Sequence, residues 1–183
     1  MQADASPPAS EELETRELIT KAASTGEPLM PKQHLAATSV GPPAENRRVD
    51  GQWLGELLGG RTRTRFHPRG LNLTGLTVTG ISDWSGIDFD KPLMIERCTF
   101  EDALILNHAS LRSLRLIECE LKGFIAQHAE IHFGLALDGC EIEYLVQLHA
   151  VNVGKDLTAV GTHVRAFAAH VITPEDLPPA VSI

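Results

Sequence analysis

Four histidines form the clearest set of residues that could do chemistry. Each stands directly before a small or apolar residue, in "NHAS", "QHAE", "LHAV" and "AHVI", and they are His108, His128, His149 and His170. Two or three histidine ligands with one open position make a catalytic zinc arrangement. The row therefore allows three interpretations: a metal site or an enzyme built on it, a stack that repels itself once protonated, and a surface column repeated only because the structure repeats.

The three cysteines are the second set with regular spacing. Cys98, Cys119 and Cys140 stand in "ERCTF", "IECEL" and "DGCEI", 21 residues apart. A thiol nucleophile needs a base in contact with it, as in a Cys–His pair. If the spacing reflects a repeating coil, the thiols point inward and the histidines outward. We therefore expect the cysteines to act as small apolar residues and predict no catalysis by such a pair.

Apolar residues that could position these side chains follow a five-residue period, with a six at two places. Large and small residues alternate along it: Leu93, Cys98, Leu104, Ala109, Leu114, Cys119, Phe124, Ala129, Leu135, Cys140, Leu145 and Ala150. A second, mostly apolar residue follows two positions after each. Since side chains alternate in an extended chain, each unit is a short extended stretch followed by a corner.

Four such sides close one coil of a β-solenoid, and stacked coils align equivalent residues in columns. The predicted columns are Leu93, Leu114 and Leu135; Cys98, Cys119 and Cys140; Leu104, Phe124 and Leu145; and Ala109, Ala129 and Ala150. About five coils fit between Leu71 and Ile172, although the pattern weakens after Leu145. A run of amphipathic helices would need a period of 3.6 residues and fits less well.

The chain divides into four parts by composition. Residues 1–48 are rich in Ala, Ser, Pro and charge and predict a largely flexible arm with a short helix near 11–24. Residues 49–69 predict a capping helix, begun by Asp50, and a basic extended segment in which Arg61, Arg63 and Arg65 alternate with threonine. Residues 70–172 form the β-helix, and 173–183 form a C-terminal tail. Trp84 interrupts the repeat. It is either part of a corner insertion that packs on the capping helix or a binding residue.

Charge limits the possible partners. The formal net charge is −8, and residues 70–172 hold 13 acidic and seven basic side chains. Direct nucleic-acid binding by the repeat body is therefore disfavoured. We expect a protein partner on an acidic face that carries Glu96, Glu101, Glu118, Glu120, Glu141 and Glu143. An uncapped last coil and the apolar "AVSI" ending could support a homodimer through the C-terminal end.

The cellular location is also predicted from absences in the sequence. The start "MQADASPPAS" lacks the basic and apolar regions of a signal peptide, and no apolar run is long enough for a membrane span. We therefore expect a cytoplasmic protein with reduced thiols and no membrane contact. No cofactor motif is recognisable; "ELLGGRTR" has two glycines but no preceding strand.

The segment from Leu71 to about Ala150 resembles the pentapeptide-repeat proteins. "ASLRS", "CELKG", "AEIHF" and "CEIEY" match the family unit of a small residue, a polar residue, Leu and two more polar residues. Half of the units carry Leu or Phe where the family prefers Ala, so the chain looks like a degenerate member. "RGLNLTGLTVTG", after a short helix, is similar to bacterial, mostly actinobacterial, members of uncharacterised function.

The resemblance implies a right-handed quadrilateral β-helix. Some members of the family look like duplex DNA in width and charge, dimerise through their C-terminal ends and protect DNA gyrase from inhibitors, and the resemblance makes these properties possible here. From the residues and the resemblance together, we predict a non-enzymatic scaffold for protein–protein interaction. The alternatives are a DNA-mimicking topoisomerase modulator and a metal-binding protein or enzyme that uses the histidine row.

Overall fold

A computed structural model describes residues 10–29 and 47–165, and the β-solenoid predicted from the five-residue period is confirmed. The described part is mostly parallel β-structure in about four stacked turns, preceded by a short N-terminal helix. About five coils were predicted for residues 71–172, and the chain past Leu157 forms part of a further coil up to residue 165, where the described residues end. Residues 166–172, the rest of the predicted repeat domain, lie outside the described residues, as does the 173–183 tail.

The elements, numbered along the chain, are α1 (Ser10–Thr25), β1 (Arg47–Asp50), α2 (Gly51–Leu58), β2 (Leu71–Thr74), β3 (Leu76–Thr79), β4 (Ser82–Asp83), β5 (Asp88–Glu96), β6 (Thr99–Phe100), β7 (Leu104–Ile105), β8 (Ser110–Ile117), β9 (Glu120–Gln127), β10 (Glu130–Ile131), β11 (Gly134–Asp138), β12 (Glu141–His149), β13 (Asn152–Val153), β14 (Asp156–Thr158) and β15 (His163–Val164). They form an eight-stranded sheet, with β1, β3, β6, β9, β12 and β15 along its main path and β4 and β7 beside it, and a seven-stranded sheet of the other strands. Every strand pairing is parallel.

The first two predicted columns are confirmed. Leu93, Leu114 and Leu135 are paired in register on successive strands. The three cysteines share one inward column because the residues that follow them are aligned in the same way. Each thiol is buried and donates to a main-chain oxygen of the preceding coil, as from Cys119 Sγ to Ile95 O at 3.4 Å. The regular spacing therefore reflects the size of the thiol, since a close-packed interior needs a small side chain at this position of each coil.

The other two columns are wrong in the last coil by one residue. The register shifts between Ile142 and Leu145, so that Leu145 lies opposite Gly123 and Val146 opposite Phe124. Val146 lies six positions after Cys140, whereas Phe124 lies five positions after Cys119. A β-bulge accommodates the extra residue. As a result Val151, not Ala150, follows Ala129 in the inward column.

Two corners of each coil turn through the left-handed region of backbone space. At one corner Arg97 and Glu118 have φ of 50° and 52°; at the other, His108, His128 and Ala150 have φ of 57°, 54° and 51°. Glycines occupy the equivalent positions in several other turns. Such values are uncommon for residues with a side chain, and at Arg97, His108, Glu118 and His128 the corner N–H donates a hydrogen bond to the next coil.

The N-terminal end of the solenoid is closed by helix α2. Asp50 caps the helix by accepting a hydrogen bond from Trp53 N at 2.7 Å. Leu54, Leu57 and Leu58 are buried, and the indole of Trp84 donates to Gly51 O at 3.0 Å. The packing interpretation of Trp84 is thus confirmed. It is an inward residue of the first coil rather than an insertion, since its position corresponds to Leu106 one turn later.

Candidate partner-binding groove

A groove with a volume of about 550 Å³ runs across the eight-stranded sheet. It is lined by Thr99, Phe100, Glu101, Glu120, Leu121, Lys122, Glu141, Ile142, Glu143, Tyr144 and Arg165. Strands β6, β9 and β12 supply most of these residues. Phe100, Leu121 and Ile142 are buried and form its floor, whereas the charged residues alternate with them and stand outward.

The outward residues form two columns fixed by strand register. Thr99, Glu120 and Glu141 are aligned in the first column, and His163 continues it. The second column consists of Glu101, Lys122, Glu143 and Arg165, one position beyond the buried residues. Neighbouring members of a column are about 4.8 Å apart at the backbone. The first column concentrates negative charge, and the second alternates in sign.

Ion pairs neutralise most of the carboxylates in this groove. Arg48 contacts Glu101 at 2.8 Å, Arg165 contacts Glu141 at 3.3 Å, and the Lys122 ammonium donates to Glu143. Glu120 has no ion-pair partner among the described residues and accepts only from the Thr99 hydroxyl, at 3.5 Å. Glu120 is therefore the carboxylate best placed to receive a positive charge from outside the chain.

The pKa shifts in the groove all favour the charged forms of the pair at its centre. The hydrogen bond from Lys122, followed by one from Tyr144, lowers the pKa of Glu143. The same contact with Glu143 raises the pKa of Lys122. The ammonium also lies 5.6 Å from the centroid of the Tyr144 ring. Tyr144 is exposed and presents one aromatic face beside two charged groups.

The structure brings together four of the six predicted partner-binding glutamates. Glu101, Glu120, Glu141 and Glu143 line the groove. Glu96 lies on β5 of the other sheet and pairs with Arg97 at 3.3 Å, and Glu118 occupies a corner. Sequence reasoning missed Thr99, Lys122, Tyr144 and Arg165. Thr99 and Lys122 share the alternation that located the glutamates, so the outward positions of the same units could have identified them, whereas Tyr144 lies at the register shift between Ile142 and Leu145.

Three of the four predicted histidines are adjacent. The rings of His108 and His128 stack in parallel with centroids 5.2 Å apart, and His149 meets His128 edge-on at 5.5 Å. All three are exposed. His149 pairs with Gln127 because of the bulge, so it lies one position before the corner that holds the other two. His170 lies outside the described residues.

These three histidines and the cysteines differ in their surroundings, since the histidines are exposed and the cysteines are buried. Residues 10–29 and 47–165 contain no group of three or more His, Cys, Asp or Glu side chains arranged to hold a metal ion. Burial raises the pKa of Cys98 to about 11, and a hydrogen bond with Cys140 together with burial raises that of Cys119. A buried, protonated thiol is a poor nucleophile.

A second, smaller depression of about 370 Å³ lies on the seven-stranded sheet. Ser113, Arg115, Asp138, Asp156 and Thr158 supply its polar groups. The Asp138 carboxylate accepts from the Thr158 hydroxyl at 3.2 Å and from Val160 N at 3.0 Å. The Asp138 carboxylate of this site is therefore already engaged by its own hydrogen bonds.

The chain matches no protein-family model, no curated protein and no solved structure. Among the described residues, no helix is long and apolar enough to cross a membrane. The functional argument therefore depends on the geometry of the groove and of the surfaces around it.

Proposed function

We propose that this chain is a non-enzymatic scaffold of the pentapeptide-repeat type, which binds a protein partner in the groove of the eight-stranded sheet. The observation that carries the proposal is the convergence of Glu101, Glu120, Glu141 and Glu143 on one concave surface. Long-range strand pairing fixes their positions, so little order has to be gained on binding. A surface organised before binding loses less entropy in the complex.

The chemistry of the groove defines the partner. Among the residues that the structure describes, Glu120 has no ion-pair partner and Glu141 has one, an exposed arginine at 3.3 Å. Tyr144 adds an exposed aromatic ring, a residue type enriched at protein interfaces. The matching surface carries Lys or Arg side chains for the first column and an apolar side chain for Tyr144.

The same residues favour binding over catalysis. A general acid or base at neutral pH needs a pKa moved toward 7, which burial or like charges provide. In this groove the pKa of Glu143 is lowered and that of Lys122 is raised, both away from neutrality. Their mutual hydrogen bond makes them a structural pair.

The experiment is a comparison of captured proteins followed by binding of the purified partner. The double variant Glu120→Gln and Glu141→Gln removes the first column's charge, and Glu130→Gln on β10, an exposed glutamate of another face, is the control. We expect the double variant to bind a purified partner at least about tenfold more weakly, since charged hydrogen bonds contribute about 1.5–3 kcal/mol each. Equal binding by wild type and the double variant would refute the proposal.

The DNA-mimic alternative is tested separately. Lys122 stands between carboxylates in the second column, which breaks the continuous negative row that a duplex mimic needs. A supercoiling assay with DNA gyrase, with and without a fluoroquinolone, decides the matter. Inhibition or protection at stoichiometric amounts would favour the mimic over the scaffold.

A further inference from the structure

A row of three exposed arginines lies outside the groove, on the segment that leads from helix α2 to the first coil. Arg61, Arg63 and Arg65 are exposed, whereas Thr62 and Thr64 between them are half-buried. The two threonine hydroxyls are hydrogen-bonded to each other at 3.2 Å, so they share one side of the segment. This alternation places the Arg63 and Arg65 guanidinium groups opposite the threonines, and Arg61 precedes a bend of the chain at Thr62.

The segment is anchored at both ends. Arg61 N donates to Glu56 O of α2 at 3.0 Å, and His67 N donates to Ala23 O of α1 at 2.8 Å. The ring of Phe66 meets Phe89 edge-on, with centroids 4.8 Å apart. Because both ends are fixed to the cap and to the first coil, the arginine row belongs to the rigid body of the protein.

The three arginines have no acidic partner among the described residues. In contrast, six other basic residues each form an ion pair: Arg16, Arg48, Lys91, Arg97, Lys122 and Arg165. Arg112 and Lys155 both contact the ring of Phe133. The chain as a whole carries eight more negative than positive charges. Three adjacent cations left without carboxylates in so acidic a chain therefore form a distinct surface.

The main chain of this segment is also available. No backbone hydrogen bond joins residues 62–66 to any other described residue. Extended peptides bind at such edges by pairing main-chain groups, with side-chain contacts providing specificity. The guanidinium fork in turn matches a carboxylate with two parallel hydrogen bonds.

We propose that the segment from Arg61 to Arg65 is a docking edge for an extended peptide of a partner protein in which acidic residues occupy alternate positions. Side chains two residues apart in an extended strand repeat at about 6.6–6.8 Å, so beyond the bend at Thr62 alternate carboxylates of the peptide face Arg63 and Arg65 one to one. The available backbone groups favour a peptide over a nucleic acid, which offers no main-chain ladder. This surface is independent of the groove, and the two proposals can fail separately.

The test uses the full chain and two blocked peptides of the same composition. TETETETET has alternate acidic residues, and TTTEEEETT has the same residues in one block. We expect the alternating peptide to bind more tightly by about tenfold, which corresponds to one well-placed charged contact, and to weaken with added salt. An alternating peptide with N-methyl groups on its pairing edge keeps its charges and should lose binding.

Protein variants separate the arginine row from general charge. Arg63→Gln should weaken binding of the alternating peptide about tenfold, and the triple change at residues 61, 63 and 65 should abolish it. Arg115→Gln, at an exposed arginine of β8 that also lacks an ion pair among the described residues, is the matched control and should leave binding unchanged. Equal binding of both peptides, or tighter binding of a thymidine oligonucleotide, would overturn the proposal.

Discussion

The two ends of the solenoid differ in how their apolar residues are covered. At the N-terminal end, Leu54 and Leu57 of α2 and Trp84 of the first coil are all 0 % exposed. At the other end of the described chain, Leu157 and Val164 are 55 % and 45 % exposed. Both occupy positions that are inward in earlier coils, since Leu157 pairs with Leu135 and Val164 with Ile142.

This difference reflects how a β-solenoid buries its inward residues. An inward residue is buried only when another coil or a helix covers the end of the stack. Helix α2 performs that role at one end, and the described residues provide no equivalent at the other. We therefore expect resistance to local opening to be highest near α2 and to decrease toward residue 165.

The largest expected effect comes from removing the anchor of the capped end. Trp84→Ala deletes a fully buried indole and its hydrogen bond to Gly51 O, and it should lower the free energy of unfolding by about 3–5 kcal/mol. Urea denaturation measures the change. Trp53→Ala, at a half-buried tryptophan of helix α2 itself, should cost clearly less. Equal losses for the two tryptophans would show that α2 does not depend on Trp84.

A smaller effect is expected at alkaline pH, through Cys98 near the capped end. Burial raises its pKa from an ordinary value near 9 to about 11, so the folded state holds the thiol proton more tightly than the unfolded state. The resulting stability is fully present below pH 9 and is lost as the pH rises through 11. The loss is about 2–3 kcal/mol.

The check on this alkaline loss is the variant Cys98→Ala, followed by urea denaturation between pH 8 and 11. Its stability should be lower than that of wild type at pH 8, and the difference should shrink above pH 9. An unchanged difference across this range would mean that the thiol is not buried in solution.

The inward columns of the solenoid could be predicted from the sequence wherever the repeating unit keeps a constant length. Leu93, Leu114 and Leu135 could be aligned because the units between them have constant length, and the cysteine column followed from the same count. The coil interior accepts only certain side-chain sizes at each position. The alternation of large and small residues therefore identifies which positions point inward.

The position of a bulge could not be obtained in this way. The extra residue between Cys140 and Val146 could be placed anywhere along that side, and only strand pairing puts it before Leu145. The same limit applies to the groove. Glu101, Lys122 and Glu143 form one column, but the contact of Lys122 with Glu143 depends on two side-chain conformations that no periodicity specifies. The anchoring of the arginine row through Phe66 and Phe89 likewise joins distant parts of the sequence.

A close helix contact gives the next prediction. Gly55 of α2 faces Trp84 so closely that an added Cβ would lie 2.7 Å from the indole Cδ1. Gly55→Ala should therefore destabilise the protein by about 1–2 kcal/mol, because overpacking outweighs the gain in helix propensity of about 1 kcal/mol. The double variant with Trp84→Ala should remove the clash. In that background the alanine should be neutral or stabilising, and a persistent loss would contradict the contact.

The smallest expected effect lies at the open end, in the same column as a strongly buried leucine. Leu157→Ala should change the free energy of unfolding by no more than about 0.5–1 kcal/mol, whereas Leu114→Ala should cost about 2–5 kcal/mol. The two residues have the same type and the same place in the coil. The difference between their losses in unfolding free energy therefore measures the effect of burial under a further coil. Comparable losses would mean that Leu157 is buried in solution.

A homodimer through the C-terminal end, proposed from the sequence, would produce that cover. Sedimentation of wild type and Leu157→Lys over a range of concentrations separates the possibilities. A dimer that dissociates in the lysine variant, together with a large effect of Leu157→Ala, would assign the open end to self-association. A monomer for both proteins, with a small effect of Leu157→Ala, would leave the solenoid with one closed and one open end, and the stability gradient would then belong to the single chain.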